Sequence, residues 1–377
     1  MNVRHIVPAL VLAMVSLGSC DRDTPAPATP APATGKYELD LKPLTPLLPN
    51  RPTHIAADPL GNMYWVQESD RGDDTLFVIG EGDIPRATQL SAANIGVTLG
   101  TPGARGNIQA LAAGPRGELY FYFLGVQGRR TVACLGQFHP KTSKIRLLAD
   151  TDTLATAAGM GRSLPLARGS VVADGRSAWL WLRHSDLWSI FRFDPTGLAP
   201  DGPIKLVKPF DAVTLEGKPI EMTREDFALS SAGDGKLFLL DPSSARLLRI
   251  APDGVASLVR SLIGLPSVLS TPALDDKGRL LIFASHSNPL APTTRAATPA
   301  AVVADAINAT FPSMLIFDAD GRVTAIDRDH ITAYPGFPVL RMRLSQLAPH
   351  PRESAWLSYD ANSGEFLMLK IVQRDGF

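Results

Sequence analysis

Histidine and paired carboxylates are the residues of this 377-residue chain that would do hydrolytic chemistry, and His54 with the adjacent Glu225 and Asp226 are the best placed of them. Carboxylate oxygens gathered around a hard divalent cation such as calcium, with an imidazole as ligand or base, would activate a water or polarise a carbonyl. Such a site needs several converging oxygens. Glu225 and Asp226 are neighbours, so on a strand they point to opposite faces. The other histidines in the body of the chain, His139, His184, His286, His330 and His350, show no His-x-His or His-Glu-x-x-His spacing. There is no Gly-x-Ser-x-Gly, and neither Gly103-Ala-Arg-Gly106 nor Gly159-Met-Gly161 opens a helix after a strand as a phosphate loop would. These residue types assign no metal ligand and no cofactor, with a divalent cation kept as the alternative.

The two cysteines belong to different stories. A short positive start at Arg4 and His5 precedes an apolar run, Ile6 to Leu17, too short to span a membrane as a helix. It ends in Leu17-Gly18-Ser19-Cys20, which resembles the bacterial lipobox. That resemblance implies a signal peptide over residues 1–19, a lipid on Cys20 and an extracytoplasmic protein anchored to a membrane, with inner or outer membrane left open. Residues 20–36 then form a Pro/Ala/Thr tether, extended and solvated because proline forbids helix. Cys134, in Thr131-Val-Ala-Cys-Leu-Gly136, has no adjacent His, Lys or Arg to lower its pKa and reads as a small buried hydrophobe. Lys+Arg and Asp+Glu are both 37, and no basic stripe marks a nucleic-acid partner.

Positioning any of these residues falls to a repeat. Ile55-Ala-Ala-Asp-Pro-Leu-Gly-Asn-Met-Tyr-Trp-Val66 joins a small-residue strand to an apolar strand through an Asp-Pro-x-Gly turn. Versions recur at 110–123, 171–182, 229–240, 273–283 and 347–359, aligned on Gly61, Gly117, Ser177, Gly235, Gly278 and Glu353. The second strands are apolar on both faces, as strands stacked between sheets must be. Third and fourth strands follow in most units, among them 76–79, 190–197 (ending in an Asp-Pro-x-Gly turn), 204–207 and 323–326. Four short strands per unit in six units predict an all-β, six-bladed β-propeller over residues 37–377. The sixth unit lacks a fourth strand, and the alternating Tyr37–Lys42 would supply it, closing the ring with an N-terminal strand. The long interval from Gly278 to Glu353 allows a seventh blade. It is read instead as a short helical insertion, residues 286–312, in blade 5.

The repeat resembles those of the six-bladed NHL, SMP-30/gluconolactonase and TolB-like propellers, which also pair a small-residue strand, an Asp/Pro-x-Gly turn and a Leu-Tyr-Trp-Val type strand. The resemblance covers residues 37–377 and implies fold rather than activity. In such a ring each innermost strand starts on the face that carries the connections between blades. Long connections at 91–107, 150–168, 211–225 and 328–342 make that face the elaborated one. His54, Gln109, Arg168, Asp226, Thr271 and Gln346 are expected at the channel mouth, with Asn107, Ser170, Ser270 and Ser345 beside them. This ring is polar and mostly neutral, unlike the carboxylate-rich channel that the lactonase resemblance implies. The leading expectation is a binding or scaffold module for an envelope protein, peptide or glycan. The alternative is a metal-dependent hydrolase or lyase using His54, Glu225 and Asp226.

Overall fold

A strand that is apolar on both faces needs a neighbour on each side, and the chain meets that need by stacking sheets around a ring. The computed structural model describes residues 33–34, 37–44, 52–68, 73–80, 84–160, 168–173, 178–184, 187–194, 204–220, 228–233, 235–241, 246–261, 267–268, 272–275, 277–285, 312–318, 322–326, 330–336, 344–350, 353–360 and 363–373. Their strands form six sheets, one per blade. Blade 1 orders Pro52–Ala57, Met63–Glu68, Asp74–Ile79 and Arg86–Ser91 from the centre outward; blade 2 orders Arg105–Ala113, Leu119–Gln127, Arg130–His139 and Lys144–Ala149. Blade 3 has Arg168–Ala173, Ala178–His184 and Leu187–Phe193, and blade 4 has Ala228–Gly233, Lys236–Asp241, Arg246–Ile250 and Val255–Ser261. In blade 5, Ser267–Val268 and Ala273–Leu274 both pair with Leu280–Ser285, followed by Pro312–Phe317 and Val323–Ile326. Innermost strands of successive blades touch all round the ring, and the sixth touches the first.

Closure is as the sequence predicts. Blade 6 comprises Leu344–Pro349, Ala355–Asp360 and Glu365–Gln373, and Tyr37–Pro43 pairs antiparallel with the last of these from Tyr37↔Gln373 to Pro43↔Leu367. No seventh sheet intervenes among the described residues. Ile331–Ala333, in the interval that allowed one, instead joins blade 6 as a parallel strand outside Tyr37–Pro43. The insertion expected over 286–312 lies outside the described residues, except Pro312, which begins a strand.

The core is divided among the blade interfaces. Tyr120 and Tyr122 pack toward blade 3 with Leu180 and Phe191, while Phe121 and Phe123 pack toward blade 1 with Tyr64 and Val66. This is the period-2 alternation of one strand feeding two interfaces. All four aromatic residues are fully buried, each contributing about 1.5–3 kcal/mol relative to exposure. Similar clusters lie between blades 3 and 4, 4 and 5, 5 and 6, and 6 and 1. The Phe121 ring covers Gly136 on the neighbouring strand, where a Cβ would stand 2.2 Å from the ring.

Three details depart from expectation. The connections after blades 1 and 2 are not plain loops: each holds a two-turn helix, Ala92–Thr98 and Thr151–Ala157. Each helix starts at a side-chain cap, Ser91 accepting from Asn94 N and Asp150 accepting from Thr153 N. The fourth strand expected at 204–207 is reduced among the described residues to one bridge, Arg192↔Val207. Short parallel strands, Ala33–Thr34 on blade 5 and Thr214–Leu215 on blade 4, extend the outer edges.

Candidate functional site

One end of the ring is built from the repeated turns. Gly61, Gly117, Gly235 and Gly278 all have positive φ, between 71 and 89°, which explains the glycine on which the repeats align. In blade 1, Asp58 Oδ1 accepts from Leu60 N at 2.9 Å and Asn62 N at 3.0 Å, and its Oδ2 accepts from Tyr64 Oη at 2.9 Å. Asp275 does the same in blade 5, accepting from Lys277 N and Arg279 N and pairing with the Arg279 guanidinium at 2.8 Å. In blade 2 the carboxylate has changed ends. Gly114 stands where Asp58 does, and Glu118 at the far side accepts from Arg116 N and Tyr120 Oη. In blade 6 an imidazole substitutes, His350 Nδ1 accepting from Glu353 N at 3.0 Å. Burial beside a carboxylate pushes the Tyr64 and Tyr120 phenols up, so both remain donors. These acidic groups are thus engaged in holding turns.

The channel runs through the centre of the ring, and its lining reaches the turn end, where Ala57, Ala113 and Pro349 directly precede the turns. Its walls are the innermost strands of all six blades, enclosing about 550 Å³. Alanine, valine, leucine and proline make most of the lining; His54, Gln109, Ser170, Ser230 and Ser231 supply the polar side chains. No charged side chain lines it among the described residues. Three innermost strands bulge near the mouth, with register shifts at Pro52/His54, Ile108/Ala110 and Ser345/Leu347. The extra residues are Thr53, Gln109 and Gln346, and a bulge of this kind re-aims a side chain at a sheet edge. Asp74, buried on blade 1, supports one of them: its Oδ2 accepts from Ile108 N at 2.6 Å across the blade interface.

His54 is half-buried in the wall, and desolvation pulls its imidazole down to about 4. It is therefore neutral at physiological pH, with one ring nitrogen as donor and one as acceptor. Such a group is a feeble base, and its N–H serves as a hydrogen-bond donor rather than as a general acid.

Of the residues expected at the channel mouth, His54, Gln109 and Ser170 are among those that line the channel, one each from blades 1, 2 and 3. Arg168 is exposed at the start of its strand, and the described channel lining in that strand begins two residues later at Ser170. Glu225, Asp226, Ser270 and Thr271 lie outside the described residues, as do the side chains of Ser345 and Gln346; Gln346 is placed only as backbone, at its bulge. Among the described residues no group of three or more His, Cys, Asp or Glu is arranged to hold a metal ion. Sequence reasoning missed Ser230. Its signal was present: the corresponding positions of the other repeats are Ala56, Ala112, Val172, Ala273 and Ala348. Cys134 is free and fully buried between blades 1 and 2, and burial pushes its thiol up, as befits an inert core residue.

The sequence matches no family model and no curated protein. In three dimensions the chain is similar to a Bacteroides thetaiotaomicron protein of unknown function, with TM-score 0.50 and 10% identity over 89% of this chain and 76% of that one. Virginiamycin B lyase from Staphylococcus aureus aligns with TM-score 0.46 and 11% identity, over 89% of this chain and 100% of that one. TolB from Acinetobacter baumannii aligns with TM-score 0.44 and 13% identity, over 73% of this chain and about half, 54%, of that one. At such identities the likeness is one of fold, and the fold is the six-bladed propeller.

Proposed function

We propose that this propeller is a binding module of the bacterial cell envelope, of the NHL, SMP-30/gluconolactonase and TolB-like type, tethered to a membrane by a lipid on Cys20. The observation that carries the binding reading is the contrast between the two ends of the ring. At one end, polar groups are spent on tight turns. At the other, the connections after blades 1 and 2 each carry a helix, and the channel that runs between the blades has polar side chains on its wall. Rigid scaffolds with elaborated loops on one side are where recognition resides. An envelope protein, peptide or glycan is the expected partner.

The test is photocrosslinking in cells. Val97, 64% exposed on the helix at the mouth end, and Ile84, 85% exposed between the third and fourth strands of blade 1 at the turn end, are each replaced by a photoreactive amino acid. Discrete adducts from position 97 and none from position 84 are expected. Equal labelling at both, or none at either, removes the reading. The anchor is tested separately by metabolic labelling with palmitate. Label should be incorporated by the full chain and lost in Cys20→Ala; a labelled Cys20→Ala protein would refute it.

A further inference from the structure

Arginine gathers in one sector of the mouth end. Antiparallel order puts the start of each innermost strand and the hairpin between second and third strands at that end, opposite the repeated turns. On blade 2, Arg105 opens the innermost strand opposite Val126, and Arg129 and Arg130 stand at the tip and exit of the following hairpin. The strands of Arg105 and Arg130 flank that of Val126, each about 5 Å away. On blade 3, Arg168 opens the innermost strand directly opposite Arg183. The innermost strands of the two blades touch, so these arginines share one stretch of rim. They are spread through the sequence, and only the stacking of blades assembles them.

The charge is not cancelled nearby. Counted along the sequence, segments 99–107, 124–132, 149–170 and 182–188, which bracket these residues, hold six arginines against three aspartates, Asp150, Asp152 and Asp186. Asp150 is engaged in capping a helix, accepting from Thr153 N and Oγ1. Among the described residues no carboxylate pairs with Arg105, Arg129, Arg130 or Arg168, all of them exposed. Arg183 lies over the Trp188 ring at 5.9 Å. Arg168 and Arg183 are like charges directly opposed across a ladder, which costs stability unless an anion comes between them. The hairpin of blade 1, 68–74, carries Glu68, Asp70, Asp73 and Asp74 against Arg71, and so marks the edge of the positive sector.

Apolar surface lies among the charges. Val126, opposite Arg105, is 44% exposed, and Val97 is 64% exposed on the helix that packs against the strand Arg105–Ala113. Pro102, whose carbonyl accepts from Gln127 Nε2, is exposed beside them. Arginine interleaved with apolar side chains is the composition of a protein–protein contact, and a guanidinium matches a carboxylate through two parallel hydrogen bonds. An anionic polysaccharide would use the charge and leave the valines wet.

We infer that the mouth-end rim of blades 2 and 3 is the docking surface for an acidic peptide segment of a partner protein, with its carboxylates on Arg105, Arg129, Arg130 and Arg168 and its apolar side chains on Val97 and Val126. This assignment rests on the proposed binding role and names the chemistry of the partner that the role requires. The charges steer and orient the segment, and the valines hold it.

Fluorescence anisotropy with the purified protein tests this. The probe is a labelled flexible peptide of glutamate, leucine, glycine and serine. One relative carries glutamine for glutamate, another serine for leucine, and an oligogalacturonate of equal charge stands for an anionic glycan. The acidic peptide should bind, and at least about tenfold more weakly in 1 M than in 0.1 M salt, as the screening length falls from about 10 to about 3 Å. The glutamine relative and the oligogalacturonate should each bind at least about tenfold more weakly, and the serine relative several-fold more weakly. Arg129→Glu with Arg130→Glu should abolish binding. Lys141→Glu with Lys144→Glu, the same charge change on exposed residues at the turn end of the same blade, should leave it within about twofold. Unfolding transitions confirm that both double variants are folded. No binding of the acidic peptide, equal loss in the two double variants, or an oligogalacturonate or serine relative binding as tightly would overturn the inference. Failure here is distinguishable from failure of the envelope-partner reading: anisotropy reads charge recognition by the purified protein, whereas crosslinks in cells read whether the mouth end meets a partner at all.

Discussion

His54 shows how position changes what a residue type means. In the sequence it stands as a base or ligand beside two carboxylates. In the fold it is a neutral group packed into the channel wall, its imidazole drawn down to about 4 by desolvation. The consequence for stability has a definite sign. The unfolded chain takes up a proton near pH 6.5 and the folded one only near 4, so acid favours unfolding. His54 therefore leaves stability undiminished above about pH 6.5 and removes it as the pH falls through 4. His54→Gln should flatten the decline in unfolding free energy between pH 6.5 and 4 while leaving the two proteins in a constant relation above pH 7. Urea denaturation at a series of pH values measures this, and equal slopes in the acid range would show that His54 is solvated in the fold.

At the scale of the element, the turn is conserved in geometry while its chemistry moves. The hydrogen bonds Asp58 N to Asn62 O and Gly61 N to Asp58 O recur as Gly114 N to Glu118 O and Gly117 N to Gly114 O. The carboxylate sits at the first position in blade 1 and at the last in blade 2, and in both it accepts from the tyrosine two residues into the next strand. Gly114 is required by this exchange: a Cβ there would stand 2.7 Å from the Glu118 carboxyl carbon and 2.8 Å from Tyr120 Cε2. Gly114→Asp alone should cost about 1–3 kcal/mol through crowding, and Glu118→Asn alone about 1–3 kcal/mol through donors left without an acceptor. The double variant rebuilds the blade 1 arrangement and should recover at least about 1 kcal/mol of the summed loss. Chemical denaturation of the four proteins tests the exchange; strictly additive losses would refute it. The signal for the turn lay in its glycines, since positive φ restricts the residue itself. The partner of each carboxylate did not, because side-chain hydrogen bonds depend on what folding brings alongside.

For the whole molecule, the ring depends on its N-terminal strand. Leu39 and Leu41 are buried in the cluster between blades 5 and 6, and the strand carrying them covers the edge of Glu365–Gln373. Leu39→Ala should destabilise the protein by about 2–5 kcal/mol, whereas Lys42→Ala, on the exposed side of the same strand, should fall within about 0.5 kcal/mol of the parent. Equilibrium unfolding in urea compares them, and a Leu39→Ala protein as stable as the parent would mean that closure does not contribute to the ring's stability. Other latches act in the same direction. Trp356 Nε1 of blade 6 donates to Ala273 O of blade 5 at 2.9 Å, and Arg279 lies over the Trp356 ring.

The sequence by itself determined the number of blades, the positions of their turns and the strand that closes them. Apolar alternation and turn glycines are local signals, readable wherever a strand must be buried on both faces and a turn needs positive φ. Tertiary structure decided the rest. The two seven-residue helices, the two- and three-residue outer strands and the bridge at Val207 are too short to carry a period. The site was decided in the same way. Whether Gln109 faces the channel and Arg168 leaves it depends on a bulge in one innermost strand and unbroken register in the other, which side-chain identity does not encode. The charge state of His54 depends on the wall that five other strands complete, and a wall assembled from residues far apart in the chain exists only once the ring has closed.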